Sequence, residues 1–101
     1  MIEITYGSRE PPSLHIRGHS GYSTQGTDIV CASVSVLFLT LVNSLNEYTN
    51  DLIQARTEPG DGALIWRGQC SEGARLLLDS CLLGLRDVAE QYPDYVKFNI
   101  D

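Results

Sequence analysis

His19 and Cys31 are the side chains in this sequence best placed to do covalent chemistry together. They bracket the stretch HSGYSTQGTDIVC, twelve positions apart. A thiolate is a strong nucleophile, and a neighbouring imidazole both favours it as an ion pair and supplies a proton later, which is the chemistry of thiol-dependent acyl transfer. Cys31 falls in the first turn of a predicted helix, where free backbone N–H groups and the helix dipole favour negative charge. His19 closes a predicted strand, with Gly18 and Gly21 beside it, and glycine there allows close approach of a peptide. The residues between them form a predicted flexible loop containing Gly21 and Gly26. Such a loop can fold the strand end onto the helix start and cover a site. The competing reading is a buried, inert Cys31 behind a structural histidine, since free cysteine is among the most buried residue types.

Asp28 and Ser35 stand near this pair. Asp28 lies three residues before Cys31 and either caps the helix or orients His19. Ser35 lies four residues after Cys31, one turn along the same face. It either donates a hydrogen bond into the site or bonds back to the Cys31 carbonyl. His15 and His19 on one strand would be about 13 Å apart, too far to share a metal. One histidine with scattered cysteines lacks the close ligand pairs of a zinc site, so no metal is expected. His15 reads as a partly exposed strand residue, Cys81 as core, and Trp66 as core or interface. Cys70 also precedes a helix, but no histidine is near it in sequence. GxSxG, GxxxxGK[ST] and HExxH are absent from the sequence.

The elements that must position these residues follow from periodicity. IEITY and LHIRGH alternate by two and read as a hairpin around the proline turn GSREPPS. Asp28 to about Tyr48 reads as a helix that is apolar on almost every face, hence buried on most sides, one layer of that burial being available to a second subunit. DLIQART and ALIWRGQ form a second hairpin around EPGDG. A second helix runs from an N-cap at Ser71 to about Gln91, with Leu76, Leu77, Leu78, Cys81, Leu82, Leu85, Val88 and Ala89 as its apolar stripe. YVKFNI closes as a fifth strand. The order ββαββαβ predicts one α+β domain over residues 1–101, a mostly antiparallel sheet covered by two helices.

Bulk composition narrows the partners. The chain has 101 residues, 43% hydrophobic and 20% charged, which fits a globular domain. A net charge of −6 argues against direct nucleic-acid binding and is compatible with a basic protein partner. Three cysteines without a CxxC pair do not make a disulfide framework. The opening MIEITYGS has no basic region followed by a long apolar run, and Val34–Leu45 is interrupted by polar residues. These features predict a cytoplasmic protein with reduced thiols and no membrane segment.

GHSGYSTQGTDIVCASVSVL resembles the signature of the ribosomal-processing cysteine protease family, often called Prp. The shared pattern is Gly-His, a short glycine-containing loop, Asp-Ile-Val-Cys-Ala, and a serine four residues after the cysteine. Here it falls on Gly18, His19, Gly21, Gly26, Asp28, Ile29, Val30, Cys31, Ala32 and Ser35. Ser20 and Ser33 stand where small residues such as alanine are common in the family. The resemblance implies a homodimeric cytoplasmic endopeptidase that removes the N-terminal extension of a large-subunit ribosomal protein. It implies Cys31 as nucleophile, His19 as general base, Asp28 and Ser35 in support, and Gly18, Gly21 and Gly26 in a flexible loop over the peptide groove. It implies no cofactor. Helix-start N–H groups are the expected oxyanion donors. A ribosome-associated binding module with a buried structural Cys31 is the alternative.

Overall fold

The computed structural model describes residues 1–24 and 26–101. Gln25, inside the predicted loop, lies outside the described residues. The element order is β1 (Ile2–Gly7), β2 (Ser13–Arg17), α1 (Ile29–Tyr48), β3 (Ile53–Glu58), β4 (Asp61–Trp66), α2 (Glu72–Gln91) and β5 (Val96–Ile100). This is the predicted ββαββαβ order of an α+β fold. The strands form one sheet in the order β3-β4-β2-β1-β5. Its pairings are antiparallel except for β5, which runs parallel to β1. A parallel neighbour requires a crossover rather than a tight turn, and α2 leads into that crossover.

Alternation along the strands turns one face of the sheet inward. Ile2, Ile4, Leu14, Ile16, Leu64, Trp66 and Val96 are all buried. Register places Ile4 opposite Ile16 and Leu14 opposite Leu64, so these side chains share a face. From α1 come Val30, Val34, Phe38, Leu41, Val42 and Leu45, and from α2 come Ala74, Leu78, Cys81, Leu82 and Leu85. Burying each large aliphatic side chain stabilises the fold by about 1.5–3 kcal/mol. Gly62 allows the sheet and α1 to meet closely, since a Cβ there would sit 3.0 Å from the Phe38 ring. Asp51 ties the end of β4 to the start of α2, accepting from Trp66 Nε1 and Ser71 N at 2.9 Å each.

Three expectations change. β2 ends at Arg17, so His19 is past the strand rather than on it. Gly18 adopts φ +95°, a left-handed conformation that ends the extended chain. Within this chain α1 is buried on its inner side only, leaving Ile29, Val36 (62% exposed) and Leu39 facing outward. Its mean hydropathy of 1.9 and length of 20 residues would suffice to cross a membrane, unlike the Val34–Leu45 segment taken alone, but its inner side chains belong to the core shared with the sheet. Finally, Leu76, assigned to the α2 stripe, is 72% exposed because it lies on the opposite side from buried Ala74 and Leu78.

Candidate active site

The loop after β2 brings its chemistry to the start of α1. Gly18, Gly21 and Gly26 have φ of +95°, +72° and +93°. Gly18 N–H donates to the Gly60 carbonyl at 2.9 Å, which fixes the loop's entry against the β3–β4 turn. That turn is Pro59-Gly60, and Gly60 has φ +71°, the conformation that favours glycine after proline. At the far end of the described segment, Asp28 enters α1 as its N-cap.

Asp28 holds more than the helix. Its Oδ1 accepts from Val30 N at 3.0 Å and Cys31 N at 2.9 Å. Its Oδ2 accepts from the Ser20 hydroxyl and from Ser23 N, the latter at 3.3 Å. The Ser20 hydroxyl in turn accepts from Tyr22 N at 3.0 Å. The carboxyl is held down to about 2, first by the Ser20 hydroxyl, against the opposing effect of burial, with help from the amides of Cys31, Ser23 and Val30. These bonds make Asp28 a cap and a loop anchor; among the described residues His19 is not one of its partners.

Cys31 and His19 wall the same cleft, of about 620 Å³. Its floor is apolar, formed by Ile2, Ile16, Val34, Phe38 and Leu39, and the β3–β4 turn forms the opposite wall. Cys31 is half-buried, so the fully buried thiol of the alternative reading is not what the fold provides. Its sulfur accepts from Ser20 N at 3.3 Å. The His19 imidazole lies against Gly60, where an added Cβ would fall 2.6 Å from Nε2 and 2.9 Å from Cε1. Among the described residues no hydrogen bond links His19 directly to Cys31.

The other candidates take distinct places. Ser35 is exposed and lines the cleft, and among the described residues it makes neither of its two expected hydrogen bonds. Ser33, one turn after Ile29, bonds back to the Ile29 carbonyl at 2.6 Å. Gly21 and Gly26 line the cleft beside Ser23. His15 is a half-buried strand residue opposite Thr5 and Ala63. Cys81 is core, its thiol pushed up to about 12 by burial. Burial also pushes the half-buried Cys70 thiol up.

Sequence reasoning missed three contributors. Ser20 lacks any motif of its own, and only its contacts give it a role. Gly60 was legible as a turn residue, but its position against His19 depends on β4 pairing with β2. Tyr22 packs edge-on against Tyr92 and Tyr95, at ring-centroid distances of 5.6 and 5.2 Å. That contact docks the loop onto the α2–β5 junction, about seventy residues away in sequence.

The family model described as cysteine protease Prp matches residues 1–97. The protein is therefore a cysteine protease by class. Among solved structures, the ribosomal processing protease Prp of Staphylococcus aureus with a covalently linked product peptide has a TM-score of 0.92 at 22% identity, all of both chains being covered. The same protease with a substrate peptide gives 0.86 at 21%, again over all of both chains. SMU.848 of Streptococcus mutans gives 0.77 at 32% identity, over 99% of this chain and 93% of that one. A search of curated proteins found no match. The chain belongs to the Prp cysteine protease family.

Proposed function

We propose that this protein is a cytoplasmic endopeptidase that removes the N-terminal extension of a large-subunit ribosomal protein. Cys31 is the nucleophile and His19 the general base and acid. The observation that carries this reading is the meeting of Cys31 and His19, twelve positions apart, in one open cleft with an apolar floor. The Staphylococcus aureus protease with the same fold has been captured with substrate and product peptides, which supports a peptide as the occupant. The net charge of −6 suits a basic ribosomal protein as partner.

The steps follow from the side chains. The Cys31 thiolate attacks the scissile carbonyl, and His19 protonates the departing amine. Water, deprotonated by His19, then hydrolyses the acyl-enzyme. Asp28 supports the site by fixing the helix start and the loop, and Ser35 stands at the cleft wall one turn of α1 beyond Cys31. No cofactor has a role in this chemistry. We extend the proposal to a homodimer, because Ile29 and Val36 on α1 and Leu76 and Leu83 on α2 leave large apolar side chains uncovered.

The test mixes the purified protein with the N-terminally extended ribosomal protein and reads the products by mass spectrometry. A single cut within the extension, absent with Cys31→Ala and with His19→Ala, is expected. Equal cutting by folded Cys31→Ala refutes the assignment. Absence of cutting by the wild type returns weight to the ribosome-associated binding module. Sedimentation of the wild type checks the dimer.

A further inference from the structure

Attack on a peptide carbonyl places negative charge on oxygen, and a protease needs N–H donors already aimed at that place. The start of α1 is where sequence reasoning looks for them, and there the amides of Val30, Cys31 and Ala32 are engaged. Asp28 Oδ1 holds Val30 N and Cys31 N at 3.0 and 2.9 Å, and Ala32 N donates to the Asp28 carbonyl at 3.0 Å. The two bonds to the carboxylate are charge-assisted and about twice as strong as neutral ones, and the third is the ordinary helical bond, so a substrate oxygen would compete poorly for these donors.

One other amide points at the reacting atom. Ser20 N–H donates to Cys31 Sγ at 3.3 Å. Ser20 and Asp28 are the two buried polar residues of the chain among those described, and they are bonded to each other. Ser20 is only 4% exposed. Its hydroxyl is gripped on one side by the Asp28 carboxylate and on the other by Tyr22 N–H. The peptide group of residue 20 is thereby set against the helix start, with its N–H directed at the sulfur.

We propose that the backbone N–H of Ser20 is the oxyanion donor of this protease, with the Ser20 hydroxyl and Asp28 as its positioning residues. The assignment rests on the protease reading above. In the resting site the N–H faces the sulfur. On attack, the sulfur forms a bond to the carbonyl carbon and the π pair of the carbonyl moves to oxygen. Oxygen and sulfur are then bound to the same carbon, and the N–H passes from the sulfur to the newly charged oxygen. On collapse the pair returns to form the carbonyl, the C–N bond breaks, and the amine leaves with the proton carried by His19. Asp28 thus acts on the reaction through Ser20, and the helix cap and the donor are set by one carboxylate.

The experiment replaces Ser20 by its α-hydroxy analogue, turning the N–H into an ester oxygen while keeping the side chain. Cleavage kinetics of the mapped peptide are read beside binding of a peptide aldehyde, whose hemithioacetal carries an oxygen at the same place. Loss of one oxyanion donor lowers kcat by about 10²–10³-fold. Aldehyde binding is expected to weaken strongly, with KM nearly unchanged. Ser20→Ala keeps the N–H but releases it from Asp28, so a smaller fall in kcat is expected, recovered in Ser20→Thr. Unchanged kcat and unchanged aldehyde binding in the ester variant overturn the assignment while leaving the protease reading intact. If the ester variant does not fold, equal kcat in wild type, Ser20→Ala and Ser20→Thr overturns it instead. Absence of any cut by the wild type overturns the protease reading and this assignment with it.

Discussion

Gly60→Ala is the sharpest perturbation of how His19 is held. Two costs are built into that position. Gly60 has φ +71°, and a non-glycine residue in the left-handed region costs about 1–2 kcal/mol. The new Cβ would also fall 2.6 Å from His19 Nε2. An ordinary contact is about 3.5 Å, so the ring must retreat by about 0.9 Å or the turn must give way. Misplacing a reacting group by about 1 Å costs about 10²-fold in rate. That corresponds to about 2.7 kcal/mol of lost transition-state stabilisation. Gly21→Ala separates the two costs in a urea titration, because Gly21 has φ +72° but nothing within 4 Å of an added Cβ. Both variants should lose similar stability from backbone strain, and Gly60→Ala should show displaced His19 imidazole resonances by NMR and the fall in kcat. Wild-type kcat in folded Gly60→Ala, with the His19 resonances unmoved, refutes the idea that this turn seats the imidazole.

Two further predictions concern titration. Asp28 is held at about 2 in the folded chain, below its ordinary 3.8. Its contribution to stability is therefore fully present above pH 4 and is lost as pH falls through about 2. Asp28→Asn should flatten that part of the curve when urea midpoints are compared between pH 2 and 5; an unchanged acid limb contradicts the anchoring role. Among the cysteines, iodoacetamide at neutral pH should modify Cys31 first, Cys70 slowly, and Cys81 only on unfolding, as read by peptide mass mapping. Cys81 keeps its proton to about 12 when folded but releases it near 9 when unfolded, so its burial favours folding below pH 9 and that advantage fades as pH rises toward 12. Labelling of native Cys81 as fast as Cys31 would contradict its place in the core.

Element order was legible because it depends on local signals. Period-two alternation marked β1 and β2, the EPGDG turn marked the β3–β4 hairpin, and apolar helices followed capping residues at Asp28 and Ser71. The pair His19 and Cys31 was legible because a histidine before a glycine-rich loop and a cysteine in the first turn of a helix can be counted along the chain. The boundary of β2 was not, since LHIRGH alternates smoothly through His19 and only the left-handed backbone of Gly18 ends the strand. How much of α1 this chain buries by itself was not legible for a related reason. Composition says how apolar a helix is, while the number of layers packed on it belongs to the whole fold.

By itself, then, the sequence determined an α+β domain, its seven elements, and a thiol and an imidazole on either side of a glycine-rich loop. Tertiary structure alone decided the strand order β3-β4-β2-β1-β5, which brings Gly60 against His19 across some forty residues. It alone tied the Ser20 hydroxyl to Asp28 and left the Ser20 N–H facing the sulfur. The physical reason is that periodicity and capping are properties of neighbouring residues, whereas a hydrogen-bond donor can serve one acceptor well at a time. Which acceptor it serves is settled only when distant segments compete for it in the folded chain.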